Sequence, residues 1–140
     1  MRVVSSIALA AALLTAGAVQ AQTVRFNAAL TGPQEVPANT SPGAGSVEAT
    51  LDTATKTLTY TATYSGLTGT ATAAHFHGPA APGANAPPVV MVAKLASPIK
   101  GSAKLTDAQI ADLTSGKWYF NVHTAAHPGG EIRGQLAEAR

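Results

Sequence analysis

From Thr23 onward, apolar side chains recur at every second position. Val24, Phe26, Ala28 and Leu30 share one parity, and Val47, Ala49 and Leu51 repeat the pattern, as do Leu58, Tyr60 and Ala62. Successive side chains of a strand point to opposite faces, so this alternation predicts strands with one apolar face. Residues 52–56, between the second and third of these segments, read as a hairpin connection. Further strands are expected at 70–77, 89–95, roughly 99–105, 117–124 and 131–137. Short strands at this spacing, separated by Gly, Pro, Ser and Asn clusters, predict an all-β fold. The expected architecture is an antiparallel, Greek-key-like sandwich or barrel of about eight strands.

One segment breaks the alternation. Thr106, Asp107, Ala108 and Gln109 have the form of a capping box, in which hydroxyl and amide side chains satisfy the free backbone N–H groups of a helix start. Ile110 and Leu113 follow at helical spacing and Gly116 supplies a stop. A short helix is expected near 107–114, packed over one end of the strands. Two long segments, 31–45 and 78–88, are too rich in proline for interior strands. The second follows His77 directly and is placed to lie over it.

The N-terminus carries different information. Arg2, an apolar stretch at 7–18 too short to cross a bilayer, and small residues at Val19–Ala21 predict a signal peptide over residues 1–21. Removing 21 of the 140 residues leaves 119, the size of one domain, at 22–140. The expected product is secreted or periplasmic, with no membrane insertion after signal cleavage. The chain has no cysteine, so disulfides and a lipid-modified N-terminal cysteine are excluded. Charged residues are only 11% of the chain, and without Arg2 eight basic groups stand against seven acidic ones. No run of Lys or Arg suited to phosphates occurs, which argues against a nucleic-acid partner.

All four histidines fall in two short clusters, His75/His77 and His123/His127. On a strand, His75 and His77 point the same way, about 7 Å apart at their α-carbons. Tyr119, Asn121 and His123 share the face opposite Trp118, Phe120 and Val122. If Phe76 and Trp118 face the core, His75, His77 and His123 all lie outward, and they can share a site only if their strands are neighbours. The plain alternative is a set of solvated or locally bonded histidines. Three convergent imidazoles are typical of zinc and copper sites. The expected metal ligands are His75, His77 and His123, with His127, just before Pro128, Gly129 and Gly130, as a fourth. A carboxylate-poor imidazole site favours copper ion over zinc ion by the divalent affinity series. Lack of cysteine excludes a blue-copper centre, and Met91, the only methionine after residue 21, argues against a thioether-rich Cu(I) site.

Other chemistry finds little footing. No serine sits in a nucleophile-elbow setting, and no glycine-rich phosphate loop is present. Glu35 and Glu131 stand in distinctive contexts as an acid–base pair or, the favoured reading, as loop-locking partners of Arg133. An arginine on a strand often forks onto a carboxylate in this way.

Residues 26–37, with Phe26, Ala28, Leu30, Gly32, Gln34, Glu35, Val36 and Pro37, open a series of motifs. Leu58 and Tyr60, Gly66 and Leu67, residues 73–78, Gly116, residues 118–119 and 121–124, Pro128 and residues 130–136 continue it. Together they resemble the CHRD domain, the module named after chordin, across nearly the whole chain after the leader. The resemblance implies a secreted β-rich module, found alone in many bacterial exported proteins, and no particular enzymatic activity. Chordin's antagonism of growth factors does not transfer, because its cysteine-rich modules are missing here. The paired His75 and His77 are also loosely similar to the copper-binding pair of Cu/Zn superoxide dismutase. Too few histidines, no disulfide and no zinc-ligand loop separate the two. The expected function is non-catalytic metal binding or handling in the cell envelope. A metal-free extracellular interaction module and a copper-dependent redox enzyme are the alternatives.

Overall fold

A computed structural model of the chain describes residues 11–17 and 20–140. The signal-peptide expectation over 1–21 falls largely on residues 1–10 and 18–19, which lie outside the described residues. Among the described residues no helix is long and apolar enough to cross a membrane. From Thr23 the chain forms nine strands and one α-helix. They are β1 (Thr23–Thr31), β2 (Ala44–Asp52), β3 (Thr57–Ser65), β4 (Ala71–His77) and β5 (Pro88–Met91). After them come β6 (Ile99–Lys104), α1 (Asp107–Thr114), β7 (Tyr119–Thr124), β8 (Ile132–Gln135) and β9 (Ala137–Glu138).

All pairings are antiparallel, and the strands run in the order β5-β4-β7-β8-β1-β2-β3-β6, a nearly closed barrel or flattened sandwich. The short β9 adds to β1. The first three strands form a meander. The links from β3 to β4, from β5 to β6 and from β6 through α1 to β7 cross between the two arms, and the histidine-bearing strands β4 and β7 become direct neighbours.

The alternation in the sequence accounts for the core. Phe26, Leu30, Val47, Leu51, Leu58 and Ala62 project inward from the meander and meet Phe76, Phe120, Val122 and Ile132 from the other arm. Each fully buried side chain of the larger kinds contributes roughly 1.5–3 kcal/mol. Phe76 sits at the centre, edge-on to Tyr60 at 4.9 Å and to Phe120 at 4.8 Å between ring centroids. The hairpin at 52–56 closes as expected: Asp52 Oδ1 accepts from the N–H groups of Ala54 and Thr55, and Lys56 takes a positive φ of 57°. The capping box is formed in full, and α1 inserts Leu113 into the core.

The strand expected at 89–95 is shorter, because pairing with β4 ends at Met91. Pro88 begins this edge strand, where a missing N–H costs no ladder bond. The strand expected at 131–137 divides into β8 and β9.

Candidate metal centre

Strand β4 carries His75 and His77, and its neighbour β7 carries Asn121 and His123. In register, His75 stands opposite Asn121, Ala73 opposite His123, and His77 opposite Tyr119. Alternation therefore delivers all three imidazoles to the same outward face. One ring nitrogen from each of His75, His77 and His123 lies within 4.8 Å of the others. His75 Nδ1 is 3.2 Å from His123 Nε2.

This outward face is not open to water throughout. The 78–88 loop folds back across it, as its position after His77 suggested. Gly78 fits against the Trp118 indole, where a Cβ would come within 2.5 Å of Cδ1. Ala80 N–H donates to Lys117 O at 2.8 Å, and Gln135 Nε2 donates to Ala80 O at 2.8 Å. Tyr119 Oη donates to Ala86 O and accepts from Ala86 N–H, both at 3.2 Å. His77 is buried as a result and stacks on Tyr119, with centroids 4.6 Å apart and planes 4° from parallel.

The loops also decide which ring nitrogens carry protons. His77 Nδ1 lies 2.9 Å from Ala86 O, and His123 Nδ1 lies 2.9 Å from Pro128 O. A carbonyl only accepts, so each Nδ1 must be the N–H, and in the neutral ring each Nε2 then presents a bare lone pair. Both lone pairs point at a third acceptor, Asn121 Oδ1, at 2.9 Å from His77 Nε2 and 3.0 Å from His123 Nε2. The Nδ2 end of this amide lies on the other side, beside Glu35. A Cβ on Gly130 would stand 2.7 Å from that nitrogen and 2.3 Å from Glu35 Oε1. In this orientation Oδ1 turns toward the imidazoles. His75 Nδ1 in turn faces His123 Nε2, and a proton on it would be donated to His123. Burial, reinforced by the neighbouring imidazoles, pushes the His75 pKa below its ordinary value. Burial does the same for His77, although hydrogen bonds to Ala86 and Asn121 oppose it. Both shifts favour neutral rings, the form that ligates metals.

The remaining site residues are distributed differently. His127 lies on the turn before Gly130, lines a cavity with Glu35 and Val36, and stands outside the convergent group. The fourth polar atom beside the imidazoles is Asn121 Oδ1, missed in the sequence reading although alternation places Asn121 on the same face as His123.

Arg133 locks a loop, and among the described residues it does so without an ion pair to a carboxylate. Arg133 donates to Asn85 Oδ1 at 2.7 Å and to Ala84 O, and its guanidinium carbon lies 3.4 Å from the Tyr119 ring centre. It fastens the 78–88 loop through these neutral acceptors, while its charge acts on Glu35. The one carboxylate pair with Lys or Arg among the described residues is Lys56 with Asp107, at the surface. Glu131 is instead held by neutral donors. It accepts from Ser41 Oγ at 2.7 Å, Thr68 N–H at 2.9 Å, Thr68 Oγ1 at 2.5 Å and Thr124 Oγ1 at 2.7 Å. Burial opposes its charge, yet these bonds together lower its pKa to about 2. Glu35 is the opposite case. It is 4% exposed, its Oε1 has no hydrogen-bond partner, and burial raises its pKa to about 7 against the pull of Arg133.

The CHRD domain family model matches residues 26–136. The chain belongs to the CHRD domain family. The matched span runs from Phe26 on β1 to Leu136, just after β8, and so contains every residue of the histidine cluster. No curated protein and no solved structure matches the chain.

Proposed function

We propose that this CHRD domain binds one metal ion through His75, His77 and His123, copper in preference to zinc, and serves in metal binding or handling in the cell envelope without catalysis. The observation that carries this reading is the convergence of three imidazoles, with one ring nitrogen from each within 4.8 Å of the others. Two backbone carbonyls fix the protons of His77 and His123 on Nδ1, and both bare Nε2 atoms face Asn121 Oδ1. A cation beside these atoms would meet the lone pairs of both Nε2 atoms. Carbonyls that hold the far nitrogen of a ligating imidazole are the usual outer support of metal sites. No carboxylate belongs to the group, and an imidazole-rich donor set follows the affinity series that places Cu(II) above Zn(II). Export rests on the N-terminal apolar segment and its small-residue end.

The test uses untagged chain lacking residues 1–21, which retains every strand from Thr23. Cu(II) and Zn(II) are titrated separately and read by calorimetry, thermal melting and, for copper, electron paramagnetic resonance. One equivalent with nitrogen hyperfine structure is expected. At a free metal concentration of 100 Kd, stabilisation should reach about 2.7 kcal/mol. Both signals should vanish in His75→Ala/His77→Ala. Binding no tighter than that of scattered surface histidines would leave a metal-free interaction module.

A further inference from the structure

Among the described residues three large hydrophobic side chains are exposed. Two, Leu13 and Leu14, belong to the N-terminal apolar stretch. The third is Met91, at 66% exposure, and its position is specific. On β5, Val90 pairs with Phe76 and is buried in the core, so the next residue, Met91, projects from the other side of the sheet. Its cross-strand partner is His75. Directly opposed residues of an antiparallel pair project from the same face with β-carbons about 4.5–5.5 Å apart. Met91 therefore begins a lateral row, Met91–His75–Asn121–Arg133, that runs across the metal centre from the edge of the sheet. Strand β5 ends the sheet, so no further strand covers Met91 from outside.

A thioether at this place changes what the site can accept. Methionine has three rotatable bonds and a polarisable sulfur, so an exposed one beside His75 can swing toward the ion that His75 holds. Thioether sulfur is a soft donor that selects Cu(I), whereas Zn(II) is taken by thiolate, imidazole and carboxylate. From this juxtaposition we infer that Met91 is the soft, outermost ligand of the histidine centre, so that the domain takes up cuprous ion and discriminates it from zinc. The inference rests on the metal-binding reading of His75, His77 and His123 and adds a soft ligand through which the same centre also takes cuprous ion. The site is then a mixed imidazole–thioether one, open on the Met91 side, where an ion arriving from solvent or from a donor meets sulfur first.

Met91→Leu keeps the size and exposure of the side chain and removes only the sulfur. Wild type and variant are compared for Cu(I), under nitrogen with a chromogenic cuprous chelator as competitor, and for Zn(II) by calorimetry. The variant should bind Cu(I) at least tenfold more weakly, bind Zn(II) within twofold of wild type, and melt within a degree or so of it. Copper X-ray absorption of the wild type should contain a sulfur neighbour that Met91→Leu lacks. Equal Cu(I) affinity in the two proteins, absence of sulfur scattering, or a parallel loss of Zn(II) would overturn the assignment while leaving the histidine centre standing. If the wild type binds neither ion, or binds both equally well after His75→Ala/His77→Ala, the histidine reading falls and takes this inference with it.

Discussion

Strands β2, β3 and β6 leave their outward side chains in water, whereas β7 and β8 are covered on both faces. On the first arm, Ser46, Glu48, Thr59, Thr63 and Lys100 are exposed between inward residues such as Val47, Leu58 and Ile99. On the second, Tyr119, Asn121 and Arg133 point outward and are nonetheless buried. Both arms have the same alternating geometry. The difference is the 78–88 loop, which Arg133, Tyr119 and Gln135 fasten across β7 and β8, with the segment around Asn39 and Ser41 fastened to Glu131. A covered outward face can hold polar groups in fixed positions and shifted protonation states, while an exposed one leaves them to solvent.

This contrast is broken most severely at Glu131. In Glu131→Gln one of the two oxygens becomes a donor facing donors, and the charge that strengthened the bonds is gone. A loss of about 3–5 kcal/mol in denaturant unfolding is expected. Thr59→Ala on the exposed arm should stay within about 0.5 kcal/mol. The same carboxylate gives a pH test. Its folded pKa is lowered to about 2, so its stabilisation is complete above about 4.5 and is lost as pH falls toward 2. The total is on the order of 3 kcal/mol. Wild type should lose stability across that window, and Glu131→Gln should show a correspondingly flatter profile there.

Glu35 sharpens the comparison with the opposite sign. Its folded pKa is raised to about 7, so the folded chain keeps a proton that the unfolded chain releases from about 4.5 upward. The stability this group contributes is full below 4.5 and disappears as pH rises through 7. Glu35→Gln removes that slope. Melting temperatures of variant and wild type should be close at pH 4.5, and at pH 8 the variant should be more stable by up to about 3 kcal/mol. A variant less stable than wild type at pH 8 would mean that the Glu35 charge is compensated in the folded state.

A smaller effect is expected at Arg133. Lysine retains the charge but cannot fork onto Asn85 and Ala84 or stack flat on Tyr119. Arg133→Lys should cost about 2 kcal/mol and speed amide exchange and proteolysis within 78–88 more than elsewhere. Uniform change across both arms would show that the loop is held chiefly by its other contacts.

Much of this fold is local in origin and legible in the sequence. The period-two pattern marks β1, β2 and β3, and the capping box at Thr106 and Gln109 sets the start of α1 correctly. Both depend on interactions within a few residues. The face shared by His75 and His77 was legible for the same reason, since alternation is a property of one strand. Partners were harder. An arginine beside Gly134 suggested a carboxylate, but its acceptors, Ala84 and Asn85, come from a loop 48 or more positions away in sequence. Likewise His127, three positions past the end of β7, is near His123 in the chain yet stands outside the cluster. Asn121, two positions before His123, stands within it.

The sequence by itself determined the all-β class, the single helix, the CHRD motifs and the histidines that share a face. These follow from side-chain periodicity and local backbone chemistry. Only the tertiary structure decided that β4 and β7 are neighbours, that two loop carbonyls fix the protons of His77 and His123, and that Met91 stands across from His75. It also separated two similar carboxylates, one satisfied by hydroxyls and ionised, the other buried and inclined to hold its proton. The physical reason is common to all of these. Strand order, loop coverage and burial depend on how remote segments pack, and hydrogen bonds and desolvation are set by whatever that packing brings within 3 Å or so.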